Sequence, residues 1–202
     1  MPQNPLVAFV AKFGSSFVAL KADSTGALVT ANPGVAPSYA GAATGLIGTA
    51  ANQSGATTSA GLATTYTGLC LSNPAGSGQN LSLLRVSGVC NVAPAALTAV
   101  GLIVGYVAGG ITVHTTPVTP LSSKIGSAAP ALVGLVDAAC TLVGTPAWAR
   151  WFAETIATTG EYSFDENVGG EILIPPGGYA AIVTTIAGPT AGLLASFTWQ
   201  EV

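Results

Sequence analysis

Charge is what this sequence has least of: Asp, Glu, Lys and Arg make up 6% of its 202 residues, against about a quarter in an ordinary globular chain. No charged side chain occurs from Ser24 through Leu84, and from Ser24 to Ala149 only Arg85, Lys124 and Asp137 carry charge. With 50% hydrophobic residues, such a chain cannot cover a water-facing surface in the usual way. Three solutions are open: burial against copies of itself or a partner, immersion in lipid, or an exposed face built from Ala, Gly, Ser and Thr.

Other absences narrow the function. Only five residues are basic and they form no cluster, so nothing tracks a nucleic-acid backbone and no nucleic-acid partner is expected. Cys70, Cys90 and Cys140 are odd in number and tens of residues apart, which fits neither a disulfide framework nor a CxxC zinc site; they read as reduced small hydrophobes. His114 is the only histidine, so any Ser-His-Asp or Cys-His site must use it. Ile111 and Val113 share one face of its run and His114 takes the other, which suits a solvent-facing or interface histidine. There is no GxSxG elbow, and Gly76-Ser77-Gly78 lacks both the third glycine of a dinucleotide fingerprint and the lysine of a phosphate loop. No enzyme, metal or cofactor is expected. The start, MPQNPLVAFVAKFG, lacks the basic residues, apolar core and cleavage site of a secretory signal, so no export is expected. Without it the sequons Asn52-Gln53-Ser54 and Asn80-Leu81-Ser82 carry little weight.

What is present reads as β-structure. Leu6–Phe13, Phe17–Ala22 and Ala27–Ala31 form an expected N-terminal meander over residues 1–39, with Asp23-Ser24-Thr25-Gly26 as a type I turn. Residues 40–61 are rich in Ala, Gly, Thr and Ser and read either as a flexible connector or as an arm ordered on a neighbouring subunit. Residues 62–202 alternate short strand-like runs with Gly, Pro, Asn and Ser turns, the pattern of an antiparallel β-sandwich. The runs are Leu62–Leu71, Asn80–Val89, Leu97–Val107, Ile111–Thr116, Ala131–Val143, Ala147–Ala157, Gly170–Ile174, Tyr179–Ile186 and Ala191–Glu201. In the last, Leu193, Ala195, Phe197 and Trp199 share one face.

Two segments are ambiguous. Val92–Ile111 is uncharged and carries GxxxG spacings at Gly101, Gly105 and Gly109, so a membrane helix competes with two buried strands joined by a glycine-rich turn; missing anchors on both flanks favour the strands. Trp148, Trp151, Phe152 and Thr155 sit at i, i+3, i+4 and i+7, with Arg150 and Glu154 spaced as a helical pair. Pro146, the β-branched residues nearby and the β-rich context favour a strand here too.

Five acids, Glu154, Glu161, Asp165, Glu166 and Glu171, crowd around an expected Gly160–Gly170 loop. A solvated loop, cation binding and docking on a basic partner are the readings. Trp148, Arg150, Trp151 and Phe152 are either core aromatics or an interface anchor. Phe9, Phe13, Phe17, Leu46 and Ile47 complete the candidate subunit and partner contacts.

Phe17-Val18-Ala19-Leu20-Lys21-Ala22-Asp23-Ser24-Thr25-Gly26-Ala27-Leu28 resembles the ALRAD-x-x-GAL opening common among structural proteins of tailed bacteriophages. Gly68–Pro74, followed by Gly76–Leu81, looks like the first strand and turn of phage virion β-sandwich domains. Ile174–Tyr179 and Phe197–Glu201 are similar to the closing strands of jelly-roll virion proteins. Together these stretches touch about a third of the chain. The resemblance implies a jelly-roll-like sandwich that decorates and cements the outer surface of a phage capsid, as a homotrimer bound to the major capsid protein. It carries over no catalytic residue. The competing expectations are a head-fibre or tail-associated adhesin for a host glycan, and an integral membrane protein.

Overall fold

The computed structural model describes residues 10–13, 16–19, 21–22, 28–29, 39–126, 132–155 and 162–202. The chain divides into two units, Met1–Pro37 and Ser38–Val202. In the first, β1 (Val10–Phe13) pairs antiparallel with β2 (Ser16–Ala19), and β3 (Lys21–Ala22) with β4 (Leu28–Val29). The turn expected at Asp23-Ser24-Thr25-Gly26 and Phe9 lie outside the described residues.

The second unit contains α1 (Tyr39–Thr44), β5 (Ile47–Ala51), β6 (Thr65–Ser72), β7 (Leu81–Cys90), β8 (Thr98–Tyr106), β9 (Val113–Val118), β10 (Leu121–Ser122), β11 (Leu135–Thr141), β12 (Ala147–Thr155), β13 (Tyr162–Ile174), β14 (Gly178–Thr184) and β15 (Leu193–Glu201). These strands form two antiparallel sheets packed as a sandwich. One sheet has the order β10-β5-β15-β7-β13 and the other β12-β8-β14-β6-β11-β9. Setting aside β9, β10 and β11, which lie between β8 and β12 in the chain, leaves β5-β15-β7-β13 facing β12-β8-β14-β6.

Period-two patterning builds the interior. Leu193, Ala195, Phe197 and Trp199 of β15 are buried, while Leu194, Ser196, Thr198 and Gln200 are only half-buried. With Leu69, Leu71, Leu83, Val86, Leu102 and Ile182 the buried set fills the space between the sheets. The outer face of the five-stranded sheet is hydroxyl-rich: Ser196 and Ser87 are cross-strand neighbours 2.7 Å apart at their oxygens, and Thr198 pairs with Thr49. Uncharged hydroxyls therefore stand where charge is missing.

β14 is buried along its whole length, because the six-stranded sheet carries a second apolar layer on its outer face. Tyr66, Cys70, Ile103, Cys140, Leu142, Tyr179, Ala181 and Val183 pack there, with Val143 and Trp148 against them. The segment after β11 folds over this face, held by the Leu142 amide donating to the Thr64 carbonyl at 2.8 Å.

Two expectations are corrected. Residues 40–61 are neither a flexible connector nor an arm ordered mainly from outside: Ala-rich Tyr39–Thr44 is helical and β5 pairs with β15 inside the sheet. Gly45, at φ 81°, ends α1 with its own amide on the Ala42 carbonyl and the Leu46 amide on the Gly41 carbonyl, a Schellman cap. The acidic loop is mostly strand: β13 runs from Tyr162 to Ile174, with Tyr162 and Phe164 buried and Ser163 and Asp165 exposed, so the acids had hidden an ordinary alternation. Only at Gly169 and Gly170, both at positive φ, does its register slip, between Asn167 and Ile172. Val92–Ile111 supplies β8, an interior strand of the six-stranded sheet, and among the described residues no helix is long and apolar enough to cross a membrane.

Candidate functional site: the aromatic edge and the His114–Asp137 pair

β12 forms one edge of the six-stranded sheet, and its irregularity places the candidate aromatics. Trp148 pairs with Ile103, Trp151 with Gly101 and Glu154 with Ala99, with register shifts between Trp148 and Arg150 and between Trp151 and Ala153. Each bulge adds one residue to β12 alone. Positions three apart on β12 thereby meet positions two apart on β8 and share its outer face. The helix-like spacing of the tryptophans is the imprint of two bulges. Trp148 and Trp151 stack with ring centroids 4.0 Å apart; Trp148 rests on the outer apolar layer, and Trp151 is 52% exposed.

Phe152 turns the other way. It stacks on Phe164 at 5.2 Å in the inter-sheet core, so it is a core aromatic rather than a surface contact. Arg150 donates to Glu171 of β13 at 2.5 Å, tying the two sheets together at this edge. On the five-stranded sheet, Arg85 binds Asp165 through both carboxylate oxygens, with Nε donating at 2.6 Å. That hydrogen bond holds the Asp165 carboxyl below its ordinary range. Two of the crowded acids are thus ion-paired, and among the described residues no group of His, Cys, Asp and Glu is arranged for a metal. Glu161 lies outside the described residues.

Ile47 is buried, and a Cβ on Gly41 of α1 would lie 3.2 Å from its Cγ1, so it anchors α1 on its own sheet. Leu46 is half-buried beside it. For Phe13 and Phe17 the structure gives backbone positions only, in the β1–β2 hairpin. Asn52 is buried, with its amide nitrogen donating to the carbonyls of Ser54 and Leu193, which closes that sequon to modification in the folded unit.

One pairing escaped sequence reading. His114 of β9 donates from Nδ1 to Oδ2 of Asp137 on β11, whose side chain is 1% exposed; the tautomer is assigned from this partner. Among the described residues Asp137 Oδ1 has no partner. The available signal was a lone carboxylate inside the apolar run Leu135–Leu142, which demands a partner when buried, in a chain with one histidine. Cys140 lies opposite His114 and Cys70 opposite Asp137 in the ladder. Burial, then the hydrogen bond with Cys140, pushes the Cys70 thiol well up, so it stays protonated and is poorly suited to nucleophilic chemistry.

No family model matches this chain, and comparisons with curated proteins and with solved structures find no match. What the chain does is therefore argued from its geometry.

Proposed function

We propose that this protein is a non-enzymatic structural subunit of a virion, which binds the outer surface of a phage capsid as a symmetric oligomer, a homotrimer, and stabilises the shell. The observation carrying the reading is the surface. Two of its acids, Asp137 and Glu201, are buried, two further acids are occupied by Arg85 and Arg150, and Trp151, Leu173, Tyr106, Ile111 and Val113 are all more than half exposed. A monomer exposes few large apolar patches, whereas subunit contacts use them. The stacked Trp148–Trp151 pair is the natural anchor at such a contact.

The strand order supports the jelly-roll reading. Counting β5, β6, β7, β8, β12, β13, β14 and β15 as one to eight in chain order, the two sheets read 1-8-3-6 and 2-7-4-5, the arrangement made by two Greek keys. In that reading β9–β11 is an excursion between the fourth and fifth strands. It adds β10 to one sheet and β11-β9 to the other.

The test mixes purified protein with emptied, expanded phage capsids and measures co-sedimentation and stoichiometry, with light scattering giving the mass of the free oligomer. Saturable binding at a symmetry-related stoichiometry is expected. Binding that does not saturate, or no binding, removes the capsid reading, and a monomeric mass removes the trimer.

A further inference from the structure

The geometry points to a second site, independent of capsid docking: the cleft between the β9–β10 connection and the segment after β5 binds a neutral oligosaccharide. Its volume is about 700 Å³, within the range of about 300–1,000 Å³ usual for small-ligand sites. One wall is Thr116 through Thr119 with Leu121, the other Gln53 through Thr57.

The lining selects the ligand class. No charged side chain lines the cleft, so a phosphate, a carboxylate or a cation would lose its hydration without a compensating charge. No aromatic or basic residue is present to stack or hold a nucleotide. A purely apolar ligand would strip water from hydroxyls and amides and return no hydrogen bond. The hydroxyls of Ser54, Thr116 and Thr119 make no hydrogen bond among the described residues, although each lies at the cleft surface. Among the described residues Gln53 uses only its amide nitrogen, on the Ala51 carbonyl at 2.9 Å, leaving its oxygen to accept. Mixed donors and acceptors without charge, beside the apolar edges of Pro117, Val118 and Leu121, match the alternating hydroxyls and C–H faces of a neutral sugar.

The walls are rigid enough to hold such a ligand. Asn52 is fastened at three points, donating to the Ser54 and Leu193 carbonyls and accepting from the Ala195 amide at 2.6 Å. Thr57 accepts from the Ala191 amide at 3.1 Å. Both fix the 53–57 wall to the start of β15.

The experiment titrates the full chain, labelled with ¹⁵N, with maltotriose, cellotriose, chitotriose and mannotriose, and with sialyllactose as the charged comparison. At least one neutral trisaccharide is expected to shift amides within 52–57 and 116–121. Thr116→Val and Thr119→Val together, which keep shape and remove only exposed hydroxyls, should weaken it about tenfold or more, and Ser163→Ala, at an exposed position of β13 outside the cleft, should leave it unchanged. The inference is overturned by the absence of shifts with every neutral trisaccharide at millimolar concentration. It is equally overturned by a preference for sialyllactose, by shifts centred on Trp151, or by a double variant that binds as tightly as the parent. Each of these outcomes is separable from failure to bind capsids, which the sedimentation assay reads.

Discussion

Trp199 and Gly48 face each other across β15 and β5, and the indole occupies the space a side chain on Gly48 would need: an added Cβ would lie 2.5 Å from Cε2 and 3.0 Å from Nε1. The same pairing of an aromatic ring with a cross-strand glycine recurs at Tyr179 and Gly105, Phe164 and Gly88, and Trp151 and Gly101. A ring laid flat over a glycine covers backbone that would otherwise be bare, and it explains how a glycine-rich chain builds well-packed strands.

Gly48→Ala is therefore expected to destabilise the sandwich by about 1–3 kcal/mol, the usual cost of overpacking a filled core. For a unit of this size that lowers Tm by about 2–4 °C per kcal/mol. Calorimetry beside a Ser87→Ala variant checks it, and an unchanged Tm for Gly48→Ala would show that the indole moves aside freely.

The His114–Asp137 pair should be the most sensitive polar contact. His114→Ala leaves a fully buried carboxylate with neither oxygen paired and should cost about 3–5 kcal/mol, as removal of one partner from a buried pair does. Asp137→Asn keeps the shape and removes the charge, so its cost should be smaller. Urea unfolding of both singles and the double variant gives the coupling; additivity within about 0.5 kcal/mol would mean the two groups do not interact.

At the acid end, Asp165 carries the pH response. Its folded pKa is lowered by the Arg85 hydrogen bond, so its contribution is present above the unfolded value of about 3.9 and fades as pH falls through the folded one. Both side chains are more than half exposed, so salt should shrink the effect. A carbon-detected titration should show the Asp165 midpoint rising in Arg85→Ala; an unmoved midpoint would contradict the pairing.

At the alkaline end the tyrosines respond. Burial, with smaller contributions from Cys70 and Cys140, pushes Tyr179 up to about 12, and burial raises Tyr66 and Tyr162 as well. Unfolded tyrosine ionises near 10, so above that pH the unfolded state loses protons the folded state keeps, and stability should fall. Ultraviolet titration should show a late class of phenols ionising together with loss of the near-ultraviolet dichroism. Ionisation of all five tyrosines near pH 10 with the fold intact would refute it.

Nine of the ten strands after Leu62 are legible in local chemistry, because alternation and turn residues act over a few positions: β15 could be read residue by residue from Leu193 to Trp199, whereas the two-residue β10 left no signal and β13 showed only from Gly170. The class, an antiparallel sandwich, followed from their number and spacing. What local chemistry could not supply were partners distant in the chain. Ile47–Ala51 became a strand only because β15 offered it a ladder. The acidic run became one because Tyr162 and Phe164 found the β7 glycine and the core. Trp148 and Trp151 share a face only through bulges defined against β8, and Asp137 is tolerable in the interior only because β9 brings His114 to it. Periodicity is a short-range property and is written in the sequence; pairing, register and the fastening of the 53–57 wall to the start of β15 are long-range choices, decided when the two sheets bury their apolar faces together.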